Sequence, residues 1–302
     1  MSTHPDPVEL SSRIIDTGTA EPPHNRVTGE LTQVDDDIAV VESFSHCWVI
    51  RTDEGLVCFD TSGARSGAGV VESIRNWTDA PFHSLVYTHG HLDHVGGSGA
   101  FIADAEARGE PRPKVLAHEA VPARFDRYRT TNGWNIVINL RQFGGVVKPD
   151  AMGIGGSGRT FLPDSVAEPD ETFRSTLAFS VGDRSIELHH ARGETDDHAW
   201  GWDALNLTAY TGDFMSWVFP NAGNPQKVQR YPIEWAAALR EMLAAGAERV
   251  FPAHGLPIVG RQRVELVLGD LAEALEHLSG RTLELMNEGA TLDTIIHEVT
   301  VP

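Results

Sequence analysis

The chain has 302 residues, of which 41% are hydrophobic and 22% charged, a composition typical of an ordinary globular protein. Its formal net charge of −19 repels polyanions, so the sequence predicts neither a nucleic-acid partner nor binding to an anionic membrane. No run of about 18 apolar residues could span a bilayer, and residues 1–30 lack the features of a signal peptide, which predicts a cytoplasmic protein.

The first half of the chain alternates strand-like and helix-like segments. The predicted elements are strands at 47–50, 56–60, 84–87 and 114–117 and helices at 70–77 and 101–107. This alternation favours an α/β sandwich over an all-β fold.

The two cysteines, Cys47 and Cys58, lie on either side of a predicted hairpin turn at 52–55. The strands of such a hairpin could bring them face to face. In a cytosolic protein, two buried free thiols are favoured over a disulfide. Neither cysteine belongs to a CxxC pair, so the sequence indicates no thiolate metal site.

The second half begins with a stretch of weak periodicity. Residues 120–169 are predicted to be a loop, and the glycines concentrated at 153–158 lack the Lys-Ser/Thr of a phosphate-binding loop. The later predicted elements are strands at 177–181, 185–189, 199–202, 207–210 and 249–251 and a helix at 233–245. After Pro257 the apolar residues follow helical spacing.

These patterns divide the chain into three parts. Residues 1–30 are predicted to be a flexible tail, residues 31–260 the main domain, and residues 261–302 a helical extension. The extension is too short to form its own core, so its apolar faces must pack on the main domain or on another subunit.

A cluster of metal-binding side chains follows the strand at 84–87. The segment 88–97, THGHLDHVGG, holds four of them within six residues, namely His89, His91, Asp93 and His94. Alternate residues of a continuing strand point the same way, so the two outer positions of HxH can share one metal while the following turn serves a second. A lone histidine is usually a satisfied surface or core residue, but the whole string is a strong indication of a metal site.

The segment 88–97 resembles the metal-binding motif of the metallo-β-lactamase superfamily, whose members are α/β proteins with an αββα four-layer sandwich and metals at one edge. The resemblance implies this fold here, followed by the C-terminal helical extension. It also implies that His89 and His91 bind a first metal and that Asp93 and His94 bind a second.

The same resemblance implies a third ligand for the first metal. The superfamily usually supplies a histidine from a Gly-His-Thr turn, and the matching turn here carries Glu194 between Gly193 and Thr195. A carboxylate oxygen binds zinc at nearly the distance of an imidazole nitrogen, so the site keeps its donor. His190 and His198, four residues to either side, are alternative ligands or neighbours that orient the ligands.

Two later strand ends complete the implied ligand set. Asp213 follows the strand at 207–210 and matches the bridging carboxylate of the superfamily. His254 follows the strand at 249–251 and matches the histidine that completes the second site.

This ligand set predicts a dinuclear hydrolase. Its donors suit two zinc ions and could also hold manganese or iron. Two cations lower the pKa of a shared water to about 7, which supplies a bridging hydroxide as nucleophile, and Asp93 or Asp213 can handle a proton. An iron dioxygenase would instead need an open two-His-one-carboxylate site on a single metal.

Within the superfamily, the second half looks like the alkylsulfatase group. Glu194, the carboxylate nineteen residues later and a helical stretch at 281–289 carry this resemblance, which implies a sulfate-ester substrate and a homodimer through the C-terminal helices. Two features depart from the group. Asp213 stands where its members have glutamate, and they continue beyond the position of Pro302, which indicates a short form or a truncated chain.

The loop after Asp213 offers groups that could bind a sulfate ester, by hydrogen bonds and positive charge. The candidates are Asn221, Asn224, Lys227, Arg230 and Tyr231. Trp217 and Phe219 could line an apolar pocket for an alkyl or aryl group, or pack in the core.

Two other interpretations of the sequence stay open. The same chemistry would suit a lactone, β-lactam or thioester hydrolase, because an activated water attacks any polarised carbonyl. The fold could also serve as a non-catalytic metal-binding module, although a competent donor occupies every ligand position.

Overall fold

The computed structural model describes residues 4–142, 160–224 and 226–302, and within them the strands form two sheets. The first sheet has the order β1 (Leu31–Asp35), β2 (Ile38–Val41), β3 (Cys47–Thr52), β4 (Gly55–Phe59), β5 (Phe82–Val86), β6 (Lys114–His118) and β7 (Glu171–Phe173). The second has β8 (Thr176–Val181), β9 (Arg184–His190), β10 (Ala199–Asp203), β11 (Thr208–Ser216), β12 (Arg249–His254) and β13 (Ile258–Val259) in sequential order. From β4 to β7 the strands pair in parallel, so their carboxyl ends meet at one edge.

The helices connect and cover these strands. They are α1 (Pro7–Thr17), α2 (Gly67–Trp77), α3 (Leu92–Val95), α4 (Ser98–Arg108), α5 (Val121–Thr130), α6 (Asn132–Gln142), α7 (Pro232–Ala244), α8 (Arg261–Asn287) and α9 (Leu292–Glu298). Most of the strands and helices predicted from the sequence are present, with bounds that differ by a few residues.

The two sheets pack face to face through buried aromatic side chains. Trp48 of β3 stacks on Phe251 of β12 with ring centroids 4.0 Å apart, and Phe59 of β4 stacks on Tyr210 of β11 at 4.3 Å. The indole N–H of Trp48 also donates to the carbonyl of Pro252 at 2.9 Å. Close packing of this kind fixes the spacing of the sheets, and with it the relative positions of the strand ends.

Helices cover the outer face of each sheet. On the first sheet, α2 and α4 contribute the buried side chains of Ile74 and Phe101 to the apolar core. On the second, α7 and α8 contribute Leu239 and Leu268. The layers are therefore helix, sheet, sheet and helix, which confirms the predicted αββα sandwich with C-terminal helices.

The sequence predicts a flexible tail over residues 1–30, which is wrong for Pro7–Thr17, because these residues form helix α1. Asp6 caps the start of helix α1 by accepting two backbone N–H groups with its carboxylate, and Leu10 and Ile14 of the helix are buried against Leu256. The other residues of α1 are mostly polar, so the apolar content of the segment was too low to predict a packed helix.

The prediction of a loop over residues 120–169 is wrong for the first part of this range, because α5 and α6 form there. The buried positions of α5 have helical spacing and are Val121, Arg124, Phe125 and Tyr128. An arginine at one of these core positions hides the apolar periodicity in the sequence. The glycine-rich run at 153–158 lies outside the described residues.

The cysteines lie on neighbouring antiparallel strands, Cys47 on β3 and Cys58 on β4. Both are buried and free, as predicted. Burial raises the pKa of the Cys47 thiol well above its usual value, so this thiol stays protonated.

The C-terminal helices leave an apolar surface exposed. Leu283 and Met286 of α8 and Leu292 and Ile296 of α9 are more than half exposed. The homodimer through these helices stays a prediction. Among the described residues, no helix has the length and apolar character needed to cross a bilayer.

Candidate metal centre

Asp60, at the end of β4, fixes the segment 88–94 from one side. Its carboxylate accepts the backbone N–H and the hydroxyl of Thr88, each at 2.8 Å, and Nδ1 of His94 at 2.7 Å. Because Nδ1 of His94 is hydrogen-bonded to Asp60, Nε2 is the ring nitrogen that faces the centre. The sequence prediction missed Asp60, whose only signal was a carboxylate directly after an apolar run.

Asp197 fixes the same segment from the other side. Its Oδ2 accepts the backbone N–H of Gly90 at 3.0 Å and Nε of Arg124 at 2.6 Å. A Cβ atom at position 90 would lie only 2.7 Å from Cδ of Arg124, so a larger residue there would displace the Arg124 side chain. Burial opposes ionisation of Asp197, but Arg124 outweighs it and lowers the pKa strongly. The sequence prediction missed Arg124 because it lies inside the predicted loop.

The first group of candidate ligands comes together in the structure. Ligand atoms of His89, His91, Glu194 and Asp213 all lie within 4.8 Å of one another. Nε2 of His89 is 2.9 Å from Nδ1 of His91 and 3.7 Å from Oδ2 of Asp213. Nδ1 of His91 is 3.9 Å from Oε2 of Glu194.

Glu194 is oriented by a buried arginine. Nη2 of Arg230 lies 2.7 Å from Oε1 of Glu194, and Nη1 donates to the Glu194 carbonyl. One carboxylate oxygen is therefore held by Arg230, which leaves Oε2 on the side of His91.

The two alternative ligands, His190 and His198, lie outside both groups of candidate ligands. Nδ1 of His190 donates to the His198 carbonyl at 2.8 Å, and its ring stacks on His118 at 3.6 Å. Nε2 of His198 accepts the backbone N–H of Asp213 at 3.2 Å. His198 thus supports the strand that carries Asp213.

The second group contains Asp93, His94 and His254, whose ligand atoms also lie within 4.8 Å of one another. Oδ2 of Asp93 is 3.2 Å from Nε2 of His254 and 3.5 Å from Nε2 of His94. His254 ends β12, and the ring of Phe44 meets its imidazole edge-on at 5.1 Å between centroids.

Asp213 lies between the two groups. Its Oδ1 is 3.4 Å from Nε2 of His94 and 3.5 Å from Nε2 of His254, while Oδ2 faces His89. The sequence predicts a strand that ends before Asp213. In the structure, strand β11 instead continues through Asp213 to Ser216. Gly212, with a φ of 53° at a register shift in β11, provides the local turn that directs Asp213 inward.

The electrostatics of the centre suit a bound cation. Burial and the neighbouring Asp213 raise the pKa of Glu194 to about 8. Burial lowers the pKa of His89 and of His91 well below the usual value, which keeps these imidazoles neutral and able to donate a lone pair. For His94 burial acts in the same direction, but Asp213, Asp60 and Asp93 outweigh it and raise its pKa.

Two atoms in the middle of the centre lack hydrogen-bond partners. Nε2 of His94 and Oδ1 of Asp213 are both buried and unpaired within the described residues. Unpaired buried polar atoms are costly unless something else satisfies them. Four imidazoles and three carboxylates converge here, and this set of nitrogen and oxygen donors fits divalent metal ions.

A cavity of about 480 Å³ opens onto the centre. Its polar wall includes Arg127, Asn139, Asn221, Lys227 and Arg230, and its apolar wall includes Phe44, Trp134, Phe161, Trp217 and Phe219. Three of the five candidate substrate residues thus line the cavity. The other two, Asn224 and Tyr231, are not among its described lining residues. Arg127 and Asn139 lie on α5 and α6 and were missed with those helices.

The comparison with protein families identifies the family to which this fold belongs. The metallo-beta-lactamase superfamily matches residues 40–254, which contain every candidate ligand, and the chain belongs to this family.

Alkylsulfatases are among the relatives of this chain. A linear primary-alkylsulfatase of Pseudomonas sp. (strain ATCC 19151) is 26% identical over 264 residues, covering 84% of this chain and 49% of that protein. An (R)-specific secondary-alkylsulfatase of Pseudomonas sp. is 23% identical over 271 residues, covering 83% and 40%. These matches confirm the resemblance to the alkylsulfatase group.

A solved structure agrees with the fold. That of the stereoselective inverting sec-alkylsulfatase Pisa1 from Pseudomonas sp. matches with a TM-score of 0.76 and 22% identity, over 90% of this chain and 46% of that one. The present chain spans less than half the length of each of these three relatives.

Proposed function

We propose that this chain is a hydrolase that cleaves sulfate esters with the help of two divalent metal ions. Zinc is the metal that we propose first. His89, His91 and Glu194 would hold one ion, and Asp93, His94 and His254 the other. The observation that carries the proposal is the position of Asp213, whose two carboxylate oxygens face different groups of histidines. A carboxylate in this position can be shared between two ions.

When bound, the two ions would supply a water that is deprotonated near neutral pH and positive charge for the leaving oxygen. Asp93 and Asp213 are the groups that can accept or return a proton. Burial opposes ionisation of Asp93, but His94 and His254 outweigh it and lower its pKa, so Asp93 stays ionised, which is the form that can accept a proton.

The cavity supports a sulfate ester as the substrate. Arg230 and Lys227 lie on the loop after β11, and Arg124 and Arg127 lie on α5, so four cationic side chains line a cavity of a strongly acidic protein. Arg127 and Lys227 have no carboxylate partner among the described ion pairs, so both are available to an anion. Trp217 and Phe219 offer apolar surface for an alkyl or aryl group.

The relatives support the same substrate class, because alkylsulfatases are among them. Zinc is the metal that we propose from the histidine and carboxylate donors, and manganese or iron could take its place.

The test uses metal-free protein reloaded separately with zinc, manganese or iron. We expect metal-dependent release of inorganic sulfate from octyl sulfate or 4-nitrophenyl sulfate, measured by ion chromatography, and loss of this activity on chelation. A matched panel of a lactone, a cephalosporin and a thioester tests the alternative hydrolase. Turnover of that panel with no sulfate release would contradict the proposed substrate, and metal binding without any turnover would support a non-catalytic module.

A further inference from the structure

The segment that joins α1 to β1 is anchored by a buried ion pair. Arg26 and Glu42 are each 3% exposed, and Nε of Arg26 donates to Oε1 of Glu42 at 2.8 Å. Nη1 of Arg26 donates to the Pro5 carbonyl at 2.5 Å, and the Thr28 hydroxyl donates to Oε2 of Glu42 at 3.1 Å. Removal of one partner of such a pair leaves a buried charge unpaired, so this segment is firmly held.

This segment contacts the turn that follows the metal-binding strand β12. Oδ1 of Asn25 accepts the backbone N–H of Gly255 at 3.2 Å, and His24 stacks on Trp217 with ring centroids 6.4 Å apart. Both His24 and Asn25 line the cavity. The segment lies before residue 40, where the match to the family begins.

The backbone of Gly255 is restricted by a close contact with Trp217 and by two hydrogen bonds. Its backbone has a φ of 99°, and a Cβ atom there would lie 2.2 Å from Cδ1 of Trp217. Its carbonyl is bonded to Nε2 of His46 at 2.8 Å, while its N–H is bonded to Asn25. The residue directly before it is His254, so these bonds fix the peptide through which the imidazole is attached.

We propose that Asn25 is a positioning residue for His254, acting through the N–H of Gly255. The proposal rests on the proposed function in one respect, that His254 is a metal ligand. Without the bond to Asn25, the peptide between His254 and Gly255 gains freedom, and Nε2 of His254 no longer stays 3.2 Å from Asp93. Groups that orient metal ligands in this way typically change metal affinity by about 10–100-fold when removed.

The test compares Asn25→Ala with Asn25→Asp, which keeps an acceptor oxygen for the Gly255 N–H. Zinc titrated into metal-free protein by calorimetry should bind about tenfold more weakly to Asn25→Ala at one of two sites. The other site should keep its affinity, and Asn25→Asp should recover most of the loss. Hydrogen exchange of the peptide 252–258, measured without metal, should be faster in Asn25→Ala than in the wild type.

The matched control is Glu21→Gln, which removes the exposed ion pair with Arg13 in the same N-terminal region and should leave both measurements unchanged. Wild-type exchange and zinc affinity in Asn25→Ala would overturn the proposal, as would an Asn25→Asp variant as weak as Asn25→Ala. If the wild-type protein binds no zinc, the proposed function fails. The exchange comparison still decides whether Asn25 fixes the turn, and equal exchange would reject it.

Discussion

The two walls of the metal centre are built in different ways. One wall is the segment 88–94, which contributes four candidate ligands from neighbouring positions. The other wall takes Glu194, Asp213 and His254 from three separate elements of the second half.

The supports of the walls differ accordingly. Asp60 bonds Thr88 and His94 at the two ends of the segment 88–94, and Asp197 bonds the backbone of Gly90 in between, so these two carboxylates fix the segment as a unit. In the other wall each ligand has its own support, such as Arg230 for Glu194. A substitution that removes a support of the first wall should therefore affect both proposed metal sites, whereas one in the second wall should affect a single proposed site.

The largest effect is expected from Asp60→Ala. The change leaves the buried N–H of Thr88 unpaired and removes one hydrogen-bond partner each from the Thr88 hydroxyl and from Nδ1 of His94, at a cost of about 3 kcal/mol of unfolding free energy. Both metals should be lost, as measured by metal analysis beside thermal unfolding. Asp36→Ala, at an exposed turn, is the control and should keep both. Retention of two metals by Asp60→Ala would contradict this shared support.

Glu194→Ala should have a smaller and local effect. It removes one candidate ligand from the first group and leaves Asp93, His94 and His254 in place, so the protein should lose about one bound metal. Metal content by mass spectrometry measures this loss. Glu234→Gln, which alters the exposed partner of Arg192, serves as control. Loss of both metals from Glu194→Ala would show that the second wall also acts as one unit.

A moderate, pH-dependent effect is expected at Lys227, which lines the cavity but is not a candidate ligand. Burial, followed by the charge of Arg230, lowers its pKa to about 8. The charged groups that face it are Arg127, Arg230, Glu194 and Asp93, and Asn139 accepts its hydrogen bond at 2.9 Å.

Above this pKa the side chain loses its charge, so KM for a sulfate ester should rise about tenfold between pH 7 and 9. Lys227→Arg keeps the charge, and its KM should stay flat over that range. A KM of the wild-type protein that does not change with pH would exclude a role for the Lys227 charge in binding.

The smallest effect is expected far from either wall. Arg240 of α7 and Glu276 of α8 form an exposed ion pair at 2.9 Å, with side chains 41% and 46% exposed. Water screens such a pair, so Arg240→Ala should lower Tm by no more than about 2 °C and leave metal content unchanged. A large fall in Tm would mean that exposed pairs matter here as much as buried ones.

The sequence was most informative where several candidate metal ligands lie close together along the chain. The string at 88–97 predicted the fold, and the order of Glu194, Asp213 and His254 predicted which distant residues would meet it. The supports were harder to predict, because a buried carboxylate such as Asp60 or Asp197 looks like any surface acid until its partners are known. Arg124 had the opposite effect, since its charge at a core position of α5 concealed a helix.

The prediction for the N-terminal region was wrong for another reason. Helix α1 buries only a small apolar face, and the turn after it is held by polar contacts such as that between Asn25 and Gly255. Contacts between residues more than two hundred positions apart leave no local pattern in a single sequence.

The candidate ligands are divided between the two sheets. The segment 88–94 follows β5 of the first sheet, whereas Asp213 and His254 lie on β11 and β12 of the second. Ions bound between them would cross-link the halves of the sandwich, so the sheets could not part without releasing the ions. Each tenfold rise in free metal above its Kd would then add about 1.4 kcal/mol to the unfolding free energy, and weakened packing between Trp48 and Phe251 would loosen the metals as well.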